Sequence, residues 1–97
     1  STRGFNEISL LSSLATHFKN LYEASLCKGN DKEVATALGI KEYAARKNRE
    51  QAAKFAKGEL LALYGDVYQA ISDVKCGALT PSAALKKVTA ELFFKKN

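Results

Sequence analysis

Residues 31–50 read DKEVATALGIKEYAARKNRE, and how this stretch is understood decides the fold. Asn30 followed by Glu33 is the pattern of a capped helix start, in which the asparagine side chain and the glutamate side chain satisfy backbone N–H groups reciprocally. Val34, Ala35 and Leu38 give a short helix its apolar side, and Gly39 ends it by accepting the left-handed conformation that other residues resist. Ile40 sits in the turn, where an apolar side chain can pin a hairpin to a core. A second helix follows from about Lys41 to Ala56, with Ala45, Asn48, Ala52 and Phe55 on its inward strip and Tyr43 and Gln51 flanking them.

Such a hairpin has two readings. Ala35, Gly39 and Ala45 have the spacing that lets two helices cross tightly, as in a DNA-binding helix-turn-helix. Arg46, Lys47 and Arg49, with Lys54 and Lys57 beyond, would then meet phosphates or base edges in a major groove, and Asn48 and Gln51 have the amides that read adenine. Yet small residues, a glycine turn and apolar anchors serve any crossed helix pair. The second helix opens Lys41-Glu42-Tyr43 and carries Glu50, and carboxylates are repelled by phosphates. Asn48 also falls on the inward strip. From these residues alone both readings stand.

Working outward, Asn6 is a candidate cap for a first helix over residues 6–28. Its apolar stripe is Ile8, Leu11, Leu14, Ala15, Phe18, Leu21, Tyr22 and Leu26, and it stops before Gly29. Residues 1–5 are given no structural weight, being read as a remnant or a disordered lead-in. A fourth helix over 58–76 carries Leu60, Leu61, Leu63, Tyr64, Val67, Tyr68, Ile71 and Val74, and ends at Gly77. Gly65 in its middle weakens helix propensity, which suggests a close approach by another helix. Thr80 caps a last helix over 80–95, with Pro81 at its first position, a stripe of Leu85, Val88 and Leu92, and Lys95-Lys96 at its carboxyl end. With helices at 31–38 and 41–56 between them, and no sustained alternation or hairpin turn to signal strands, the expected fold is all-α: a single five-helix, bundle-like domain containing a helix-turn-helix-like hairpin.

Ninety-seven residues, 46% apolar and 26% charged, suffice for one globular domain. The net charge of +5 divides into +1 over residues 1–30, +3 over 31–57 and +1 over 58–97, so the surplus sits mildly on the hairpin. Cys27 and Cys76 have no zinc spacing, and each lies beside a helix-ending glycine. They read as buried or half-buried reduced thiols, which suits a cytoplasmic protein. No signal peptide pattern or membrane-length apolar run occurs. No phosphate loop, nucleophile elbow, HExxH or suggestive carboxylate pair is present either, so no catalytic, cofactor-binding or metal-ligating residue is assigned. His17, the one histidine, lies among packing residues beside Phe18. Phe93 and Phe94 are adjacent on a helix and cannot both face one core, so one of them is a candidate for a partner.

The flanks add a resemblance. LATHFKNLY at 14–22 precedes the hairpin; Glu33-Val34-Ala35, Leu38-Gly39-Ile40, Tyr43, Lys47, Gln51-Ala52 and Phe55 follow in order. Then come Leu60 to Leu63, Lys75-Cys76-Gly77, and Pro81 with Ala84-Leu85 and Leu92. This succession, from Ile8 to Leu92, resembles the carboxy-terminal domain of the delta subunit of bacterial DNA polymerase III, the clamp-loader subunit that opens the sliding clamp. One departure is Ile71, where the family tends to have an aspartate four residues before the lysine of the K-x-G turn; here the acid is Asp73. The resemblance implies a non-catalytic helical collar domain that binds the collar domains of other clamp-loader subunits. It also implies upstream AAA+-like domains, no cofactor, no membrane, and DNA contact that is absent or non-specific. Which faces meet the partners is not implied.

Overall fold

A computed structural model describes residues 2–56 and 58–96, with side chains over 6–56 and 58–93. Five helices follow one another: α1 (Thr2–Leu26), α2 (Asp31–Leu38), α3 (Glu42–Ala52), α4 (Glu59–Lys75) and α5 (Pro81–Lys96). Among the described residues there is no strand, and the fold is all-α and bundle-like.

Helix α1 is the axis against which α3, α4 and α5 all pack, while α2 rests mainly on α3. The main core gathers Leu11, Ala15, Phe18 and Leu21 from α1, Ala52 from α3, Leu60, Leu63, Val67 and Ala70 from α4, and Ala84 and Val88 from α5. Burial of these surfaces, at about 25 cal/mol per Å2 of apolar area, is the principal force holding the bundle. The Phe55 ring, just past α3, meets Phe18 edge-on at 6.3 Å.

A second, smaller core lies inside the hairpin. Val34, Ala35 and Ala45 are buried there, with Cys27, Leu38 and Ile40 packed around them. Ala45 is fully buried, so the two helices cross on methyl-sized side chains. The start of α2 has the cap expected from Asn30 and Glu33: the Glu33 N–H donates to Asn30 Oδ1 at 2.9 Å, and the Asn30 N–H donates to Glu33 Oε1 at 3.0 Å. Its end is closed by Gly39 in the left-handed region (φ 68°), where the Ile40 N–H reaches Ala35 O at 3.0 Å. Asn30→Ala removes one of these bonds and leaves α2 poorly started. Urea unfolding is expected to show a loss of about 1 kcal/mol.

Several expectations are corrected. Helix α1 begins at Thr2, so Asn6 lies within it and caps nothing, and residues 2–5 are helical rather than outside the fold. No proline interrupts that lead-in, and a helix already held by its core face extends through it. Helix α1 also ends at Leu26, short of residue 28, and α3 ends at Ala52, short of residue 56. There the chain tightens into turns, with the Phe55 N–H donating to Ala52 O, and the Ala56 N–H is taken by Glu59 Oε1 at 2.9 Å. Cys76 is exposed, whereas Cys27 is half-buried; both are free thiols. Thr80 does cap α5, accepting from the Ala83 N–H at 3.1 Å.

Gly65 is not a site of close approach. It is exposed on α4, and a Cβ built there meets nothing within 4 Å. The glycine therefore costs helix propensity with no packing gain to offset it. Gly65→Ala is expected to stabilise the domain by about 0.5–1 kcal/mol, read as a higher urea midpoint.

Candidate functional site

The basic residues of α3 do not form one reading surface. Arg46 and Lys47 are exposed, and both cations lie over the Tyr43 ring, at 5.4 Å and 5.6 Å from its centroid. Arg49 turns the other way: its guanidinium is half-buried and pairs with Asp31 at 3.1 Å, tying α3 to the first turn of α2. Lys54 lies past the end of α3, in a separate cleft with His17, Gln51 and Leu92. Lys57 lies outside the described residues. Asn48 is half-buried on the inward side, between the buried Ala45 and Ala52. Asp31 and Glu42 line the same shallow pocket as Tyr43 and Arg46, so a phosphate approaching that pocket meets two carboxylates as well as the arginine.

His17 is exposed, its ring against Phe18 at 5.7 Å. Among the described residues no group of three or more His, Cys, Asp or Glu side chains could hold a metal ion. No helix among them is long and apolar enough to cross a membrane.

The distinctive surface is elsewhere, along the seam where α1 packs on α4. The helices run so that the carboxyl end of α1 meets the amino end of α4. At that end a groove of about 460 Å3 is lined by Tyr22, Ser25, Leu26, Phe55, Gly58, Leu60 and Leu61, with Ala52 and Ala56. Leu26 and Leu61 leave 62% and 49% of their surface exposed, so two large aliphatic side chains lining this groove stand uncovered. Further along the seam, a smaller cleft is lined by Ser12, Thr16 and Lys19 of α1 and by Tyr64, Tyr68, Ile71 and Lys75 of α4. The Tyr64 and Tyr68 rings meet edge-on at 4.8 Å. A side-chain hydrogen bond with Tyr68, then burial, then the negative charges of Tyr68 and Glu23 hold the Tyr64 phenol above its ordinary pKa.

The sequence stripes placed Ile8, Leu26, Leu61 and Tyr68 toward the core; all four are exposed. For Leu61 a signal existed, since Leu60 and Leu61 are adjacent and a helix turns 100° between them, so one must leave the core. Phe93 is likewise exposed, at 65%, while the Phe94 side chain lies outside the described residues. Ile71, at the departure from the family pattern, packs against the main core. Asp73, two residues on, accepts from Gln69 Nε2 at 3.0 Å, and its backbone oxygen closes the end of α4 by accepting from Ala78 and Leu79.

A family model described as DNA polymerase III delta subunit, C-terminal domain, matches residues 2–92, nearly the whole chain. The chain belongs to this family. It is therefore a clamp-loader domain of the replication machinery, and the hairpin that resembles a DNA reader is part of that domain's bundle. Among curated proteins and among solved structures, none matches the chain.

Proposed function

We propose that this is the non-catalytic oligomerisation domain, the helical collar, of the delta subunit, joining it to the other clamp-loader subunits in the cytoplasm while the sliding clamp is loaded. Family membership supplies the setting. The observation that carries the role is the uncovered apolar groove at the α1–α4 seam, with the exposed Leu26 and Leu61 among the residues that line it. Exposed aliphatic side chains collected in one groove, on a domain whose own core is already closed, are what a protein-binding surface offers.

Gel filtration of the chain mixed with the helical domains of the other loader subunits tests this. A co-eluting complex is expected. Persistent separate elution, together with duplex DNA binding that depends on base sequence and is lost in Arg46→Ala, would replace the collar by a DNA-reading role.

A further inference from the structure

The polar half of the α1–α4 seam has a chemistry that apolar association does not use. Lys19 from α1 and Lys75 from α4 line one cleft of about 260 Å3, together with the hydroxyl-bearing residues Ser12, Thr16, Tyr64 and Tyr68. No carboxylate is among the lining residues. Neither lysine is paired with a carboxylate among the described residues. The acids nearby are differently occupied: Asp73 accepts from Gln69, and Glu23 lies toward the apolar end, where Tyr64 feels its charge.

We propose that this cleft is a carboxylate-binding subsite that receives a Glu or Asp side chain from a partner protein's helix lying along the α1–α4 groove. An ionised carboxylate is acceptor-only, and the cleft offers it the ammonium groups of Lys19 and Lys75 and the hydroxyl-bearing side chains of Ser12 and Thr16 as donors. Charge-assisted bonds of this kind are roughly twice as strong as neutral ones. The apolar groove with Leu26 and Leu61 continues the same seam, so one ligand spans both halves. Lys19 lies seven residues before Leu26, and Lys75 fourteen after Leu61. At the helical rise these separations are about 10 and 21 Å, placing the acid roughly two to four turns from the partner's apolar anchor. A nucleic acid fits less well. Its phosphates repeat every few ångströms and need a continuous basic track, whereas this seam passes from two lysines to Glu23 and then to bare leucines.

The partner's setting rests on the collar reading; the chemistry of the cleft does not. It is tested with the whole chain and a lactam-stapled amphipathic helix of about 18 residues. The peptide carries two leucines one turn apart and a glutamate three turns further on, and a control peptide has glutamine in its place. In NMR titrations the glutamate peptide is expected to bind at least fivefold tighter than the glutamine peptide, shifting Ser12, Thr16, Lys19, Tyr64, Tyr68 and Lys75. Lys19→Ala with Lys75→Ala should erase that preference, and Lys19→Arg with Lys75→Arg should keep it. Equal affinity for the two peptides, no binding of either, or occupation of the cleft by a single-stranded oligonucleotide in preference to the peptide overturns the proposal. A chain that prefers the glutamate peptide but joins no loader subunit would confirm the subsite and refute the collar, so the two failures are distinguishable.

Discussion

Phe18→Ala is expected to destabilise the domain by about 3–5 kcal/mol. Phe18 is 4% exposed and sits in the main core on α1, the helix that touches α3, α4 and α5. Its ring also meets Phe55 edge-on, which fixes the segment between α3 and α4 against the bundle. Truncation opens a cavity at that junction and removes the aromatic contact, which alone contributes about 0.5–1.5 kcal/mol. Against a total stability on the order of 5–15 kcal/mol for a domain of this size, the loss moves the urea midpoint far down and leaves a marginal fold. An effect below about 1 kcal/mol would mean that the core is not organised around α1 as described.

Leu26→Asp combined with Leu61→Asp is expected to do the opposite: leave the fold and abolish association. Both side chains are more than 40% exposed, so placing a carboxylate there costs little in the free domain, and surface changes of this kind usually stay within about 0.5 kcal/mol each. In a complex the same carboxylates would be buried without partners, a severe penalty. Residues at the centre of an interface commonly contribute 2 kcal/mol or more, which is about a thirtyfold change in Kd. Circular dichroism should therefore be unchanged while co-elution with the loader's other helical domains disappears. The paired control, Arg46→Ala with Lys47→Ala, should leave co-elution intact.

Much of the fold was legible in the sequence because local signals agreed with one another. Asn30 with Glu33, Gly39, and Thr80 with Pro81 each mark a helix end by a specific backbone need, and the structure satisfies each need as read. The hairpin's crossing was legible too, since Ala35 and Ala45 are small where the helices meet. What failed had, Leu61 apart, no local signature. Asn6 looks like a cap, but a helix held by its core face continues past it. Leu26, Leu61 and Tyr68 fall on stripes broader than the core they face, and three- and four-residue periodicity does not say which edge of a broad stripe is left uncovered. Gly65 reads as a packing contact only until the neighbouring helices are placed. The α1–α4 seam was illegible for the same reason: Lys19 and Lys75 are 56 positions apart, and only the tertiary pairing of their helices brings them to one cleft. The basic residues of α3, conversely, look like one cluster in sequence and are dispersed by Arg49's turn toward Asp31.

In the proposed role the hairpin is a structural part of the bundle and the α1–α4 seam meets a protein. Amide hydrogen exchange of the chain, measured alone and after adding the loader's other helical domains or duplex DNA, tests it most directly. The partner domains are expected to slow exchange around residues 22–26 and 59–68, and duplex DNA to change little. Slowed exchange over residues 42–51 on adding duplex DNA, with no protection of the seam by the partner domains, would contradict it.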